Sequence, residues 1–202
     1  MKLLLILFIV FFITTSNVNA HTFTGMIGFY DGISHPVLGL DHFLAMVSVG
    51  IISSQIGGRA IWTIPSTFVS IMIFGGLFGI TIEMNSIFTI IEHIYIIIEL
   101  GIIASVFLLG LAIAIEKKLS INFTMVFVGI FGLFHGFAHG LEMPWAVNPI
   151  LFALGFATGT ATLHIFGVGI GYFFTKSLIS SIFLRLIGLS CALYGVYLFY
   201  NI

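Results

Sequence analysis

Charge is what this 202-residue sequence has least of. Six Lys and Arg residues and seven Asp and Glu residues leave 6% of the chain charged, against 60% hydrophobic. Soluble domains carry about 25% charged residues, and so few charges could not cover the surface of a water-soluble protein this long. The chain therefore reads as an integral membrane protein with room for one domain. A formal net charge of -1 argues against nucleic acid as a partner, since that binding runs on basic surface. Cysteine is almost missing as well. Cys191 stands alone, which excludes an internal disulfide and a multi-cysteine metal cage. Without further thiolates, Cu(I) and iron–sulfur sites are disfavoured. The chain has no G-x-x-x-x-G-K-[ST] stretch, so nothing marks it as an ATPase. It also has no long histidine-rich loop of the kind that stores metal.

What the sequence does have is long apolar runs. Residues 1–20 read as a signal peptide: Lys2, an apolar stretch from Leu3 to Ile13, then TTSNVNA with small Val18 and Ala20. That apolar stretch is too short to cross a bilayer, where about 20 residues are needed. Cleavage after Ala20 would leave His21 as the mature N-terminus, its amine and imidazole forming a small chelating pair. Beyond residue 30, six apolar spans are expected, at about 36–54, 60–80, 88–115, 121–140, 149–174 and 180–200. They should be helices, because lipid offers the backbone no hydrogen-bond partner. The expected fold is an all-α integral membrane protein: six transmembrane helices after a cleavable signal peptide, with residues 21–202 as a single six-helix membrane domain. If the mature N-terminus is exported, Arg59, Lys117, Lys118, Lys176 and Arg185 all fall on the inner side. Asp31, Glu83 and Glu142 fall outside. The positive-inside rule gives the same direction from different residues.

That direction places the polar residues in depth. HPVLGLDHFLAM (35–46) puts His35, Asp41 and His42 in the outer half of the first span. FHGFAHGLEMP (134–144) puts His135, His139 and Glu142 at the outer end of the fourth. Glu92 and His93 fall near the outer edge of the third span and Glu99 deeper. His164 lies past the middle of the fifth. A helix advances about 100° per residue, so His135, His139 and Glu142 share one stripe. His35 and His42 also align if one helix carries both, with Pro36 in its first turn, where a proline loses no helical hydrogen bond. Asp41 points elsewhere and suits either direct ligation or a hydrogen bond to an imidazole. Each group has a plainer reading too. Glu92, His93 and Glu142 could touch headgroups or water, and His164 could bond a neighbouring helix. The two histidine clusters are harder to dismiss, because an ionisable side chain in hydrocarbon costs about 2.5–3.5 kcal/mol on insertion scales.

Imidazole with carboxylate is a ligand set for borderline divalent ions: Zn(II), Ni(II), Co(II) or Cu(II). Four functions fit it. One is passage of such an ion across the membrane. Another is an intramembrane zinc-dependent hydrolase, although HGFAH lacks the HE start of the zincin motif. The third is a haem-binding electron carrier. The last is a partner that hands metal on without transporting it.

At these residues the sequence resembles the HupE/UreJ family of small membrane proteins. The resemblance rests on HPVLGLDHFLAMVSVG (35–50), FGLFHGFAHGLEMP (131–144) and, less specifically, GFATGTATLHIFGVGIG (155–171). It implies a secondary permease for Ni(II), or in some members Co(II), and not an enzyme. The metal would be substrate, with no permanently bound cofactor. The implied setting is the bacterial inner membrane, multi-pass, with the mature N-terminus outside. The bilayer is one partner, and a supply system for hydrogenase, urease or a cobalt enzyme is another. The implied metal residues are His35, Asp41, His42, His135, His139, Glu142 and His164. Glu99 is expected beside His164 as a deeper station. Because ligands must be unprotonated, uptake is expected to fall as pH drops through about 6.5, the reference histidine value.

Overall fold

The computed structural model describes residues 28–84, 88–116, 119–143 and 148–202. The expected signal peptide and His21 lie outside the described residues, as do Lys117 and Lys118. So do the side chains of Glu92 and His93.

The described residues fold into seven helices, with no strand among them. They are α1 (Gly28–Leu38), α2 (Leu40–Ile56), α3 (Ala60–Met84), α4 (Phe88–Ile115), α5 (Ile121–Leu141), α6 (Pro149–Phe174) and α7 (Leu178–Phe199). Five of them, α3 to α7, are long and apolar enough to cross a membrane. The pair α1 and α2 makes a sixth crossing if taken together, bent by 80° at its break. Large apolar side chains point outward from the bundle, with Trp62, Phe173 and Ile179 each more than two-thirds exposed. Such a surface suits lipid and not water.

The first span departs from expectation. The sequence suggests one helix at about 36–54 with Pro36 in its first turn. Instead a helix begins at Gly28, carries Pro36 near its end, and stops. Gly39 takes an extended conformation (φ -77°, ψ 114°), and α2 starts anew at Leu40. His35 and His42 therefore sit on two helices either side of a corner. The corner, and not a shared stripe, sets their relation.

Local sequence explains the other ends. Asn148 caps α6 by accepting hydrogen bonds from the Ile150 and Leu151 amides, and Pro149 opens the helix where its missing N–H costs nothing. Ser177 and Ser180 form a reciprocal cap on α7. The tight turn from α2 to α3 uses Gly57 and Gly58 at positive φ (78° and 58°), a region glycine enters without steric cost.

Helix packing runs on glycine. Gly132, Gly136 and Gly140, one turn apart on α5, press against the carbonyl oxygens of Phe68, Met72 and Gly76 on α3. Any Cβ at these glycines would strike backbone. Small residues let membrane helices approach this closely. α6 serves both halves of the broken span: Gly155 lies against the Phe29 carbonyl of α1, and Gly167 against the Val47 carbonyl of α2. α4 pairs with α7 through Gly110 and Gly188. Met46, Phe68, Leu109 and Ile113 fill the space between these pairs and are fully buried.

Candidate metal centre

The corner at Gly39 and the α3–α5 glycine seam together bring four histidines to one place. His35 ends α1, His42 opens α2, and His135 and His139 lie one turn apart near the end of α5. Ring centroids are 4.4 Å apart for His35 and His139, 4.6 Å for His42 and His139, and 5.0 Å for His42 and His135. His35 and His42 are 6.1 Å apart across the corner. Phe152 and Phe156 of α6 close one wall, the Phe156 ring 4.0 Å from that of His139.

Hydrogen bonds fix which nitrogens face the chamber. His42 Nδ1 lies 2.9 Å from the Asp41 carboxylate. His135 Nδ1 lies 2.9 Å from the Phe131 carbonyl. A carbonyl or an ionised carboxylate only accepts, so in each case Nδ1 donates and the neutral ring keeps its lone pair on Nε2. Those two Nε2 atoms, and both ring nitrogens of His139, are buried without a hydrogen-bond partner among the described residues. Buried polar atoms are ordinarily paired, because an unpaired one costs about 1–3 kcal/mol. An orphaned imidazole lone pair with its other nitrogen anchored is the usual state of a metal-binding histidine.

One donor atom each from His35, His139 and Glu142 lies within 4.8 Å of the other two. Ligands around a first-row divalent ion at about 2.0–2.1 Å from the metal sit at most about 4 Å apart. A small contraction would bring this trio onto one ion. Glu142 caps the end of α5 and is partly buried.

Not every expected residue joins this group. Asp41 is turned to His42 and acts as its anchor. His164 is buried, with neither nitrogen hydrogen-bonded among the described residues, and it shares a ring contact to Phe68 with His135 in place of one to the four histidines. Glu99 was expected beside His164. It lies on an exposed face of α4 and acts electrostatically on His42, as Glu142 also does. Phe68, Phe152 and Phe156 went unremarked in the sequence, where nothing distinguishes them among 23 phenylalanines.

Apolar helices of membrane-crossing length around a buried histidine cluster define a multi-pass membrane protein. More particularly, this chain belongs to the HupE/UreJ family, whose model, described as HupE / UreJ protein, matches residues 9–198. It is 40% identical over 154 residues to Protein HupE of Rhizobium leguminosarum bv. viciae, an alignment covering 75% of each chain. No solved structure matches it. The family is a transporter-type family associated with nickel and cobalt, not an enzyme class.

Proposed function

We propose that the protein is a secondary permease that takes up a divalent transition metal, Ni(II) first and Co(II) second, through the histidine chamber. The observation that carries this reading is the convergence of the His35, His42, His135 and His139 rings, with the Nε2 atoms of His42 and His135 buried and unpaired among the described residues. Neutral imidazole and carboxylate suit such borderline ions. A path for ions also needs ligands that can be exchanged in turn, and a chamber offering more donors than one ion uses permits that. His35, His139 and Glu142 form one ligand set, with His42 and His135 as the adjoining one. His164 is the next donor along the path.

The histidine end faces the exported side in this reading, with the N-terminus outside after signal-peptide cleavage. Arg59, Lys176 and Arg185 then lie at the inner end, as the positive-inside rule asks. Without a nucleotide site, inward movement draws on the membrane potential, about 2.3 kcal/mol per charge per 100 mV. The metal is delivered to a supply system for hydrogenase, urease or a cobalt enzyme.

The test is uptake of ⁶³Ni and ⁵⁷Co into proteoliposomes holding wild type, His42→Ala or His139→Ala. Saturable uptake by wild type and its loss in both variants supports the reading. Equal accumulation in all three sinks it. One observation favours a second reading: two histidines and a glutamate, as in His35, His139 and Glu142, also hold catalytic zinc in hydrolases. That reading expects zinc-dependent cleavage of a membrane substrate and no metal flux.

A further inference from the structure

Resting on the permease reading, we propose that the Phe68 side chain is the barrier of the translocation path, dividing the histidine chamber from His164. Phe68 is fully buried on α3. Its ring centroid lies 5.5 Å from that of His135 and 5.2 Å from that of His164, edge-on to both. One apolar ring thus packs edge-on against both imidazoles. His135 Nε2 and both His164 nitrogens are buried without a hydrogen-bond partner among the described residues.

The two sides differ in what they open onto. His135 belongs to the histidine chamber. His164 helps line a cleft of about 350 Å³ between α3 and α6, with Ile61, Pro65, Ser66 and Ala161. Ile61, Pro65 and Ser66 belong to the half of α3 nearer Arg59, away from the histidine cluster, and Ala161 belongs to α6. A hydrated divalent ion cannot cross an apolar ring, and hydrophobic constrictions hold ions back by excluding water. An ion leaving His135 therefore reaches His164 only when the ring turns aside. The backbone at this point is closely packed. Gly132 of α5 packs on the Phe68 carbonyl so closely that a Cβ there would lie 2.7 Å from it. On this proposal, opening is a rotation of the Phe68 side chain and not a slide of α3 along α5.

The experiment compares Phe68→Ala, Phe68→Leu and Phe68→Trp with wild type. Equilibrium nickel binding is measured in detergent and ⁶³Ni flux in proteoliposomes. The barrier predicts that all three bind nickel as wild type does, because no chamber ligand has changed. Flux splits by size. Phe68→Ala raises it on the order of tenfold, in both directions and without saturation, and Phe68→Trp lowers it by a similar factor. Phe68→Leu, which keeps an apolar bulk, falls between and remains decisive if the smaller or larger side chain prevents folding. A wild type that moves nickel while all folded variants match it overturns the barrier alone. Binding and flux lost in parallel would assign Phe68 to core packing and overturn it equally. A wild type that moves no nickel in the same vesicles overturns the permease reading itself.

Discussion

Glu116 and His139 sit at opposite ends of the same bundle, and their surroundings differ in kind. Around Glu116 the polar groups answer one another. The Ser181 hydroxyl donates to both carboxylate oxygens at 2.9 and 2.8 Å, and Arg185 comes within 4.0 Å. Arg185 also donates to the Ala114 carbonyl at 2.9 Å, and Gln55 to the Ile113 carbonyl at 3.4 Å. Around His139 the helices are packed as tightly, yet both of its nitrogens and the inner nitrogens of His42 and His135 stay unanswered among the described residues. The first end looks like a structural tie between α4 and α7. The second leaves ring nitrogens buried and unpaired among the described residues, at a cost in stability that makes sense where another species is to be bound.

That contrast can be broken most forcefully at His139. His139→Ala takes out the ring that touches both His35 and His42. It should lower nickel affinity on the order of 100-fold, at the upper end of the 10–100-fold typical of losing a ligand's supporting group. Titration of nickel into purified protein reads this directly, and wild-type affinity in the variant would show the chamber to be an inert polar cap. A different blow falls on the seam that places His135 and His139. Gly136→Ala drives a methyl into the Met72 carbonyl, so α3 and α5 must part. The expected cost is about 1–3 kcal/mol, seen as a lower melting temperature in detergent, with nickel binding reduced alongside it.

How much of this could be read beforehand depended on how unusual each residue was. Membrane helices were legible because hydropathy is a strong signal and lipid permits few backbones. His35, His42, His135 and His139 were legible because polar residues are rare in this chain, and rarity makes them stand out. The corner at Gly39 was not. Pro36 fits the first turn of one helix as well as the last turns of another, and only the packing of α1 and α2 on α6 chooses between them. Phe68 carried no signal of any kind. The ring neighbours of a phenylalanine in an apolar run are set by tertiary structure alone.

Asp41 sharpens the contrast at smaller scale, because the sequence left open whether it binds metal or steadies His42. The 2.9 Å contact to His42 Nδ1 favours steadying. Asp41→Asn can still offer its amide oxygen to Nδ1, so nickel affinity should fall only about tenfold, and Asp41→Ala should do more harm. Were Asp41 a direct ligand, the two substitutions would be equally severe in the same titration.

The mildest effect belongs to the other end. Ser181→Ala removes a hydroxyl that bonds a carboxylate about one-third open to its surroundings. The neighbouring Arg185 can move closer and take up part of what is lost. Stability should fall by about 1 kcal/mol or less, and nickel uptake per folded molecule should match wild type. Uptake is measured by ⁶³Ni flux normalised to correctly folded protein. A selective loss of transport in Ser181→Ala, with the melting temperature unmoved, would mean that the Glu116 cluster also handles the ion. The division between a structural end and a binding end would then have to be abandoned.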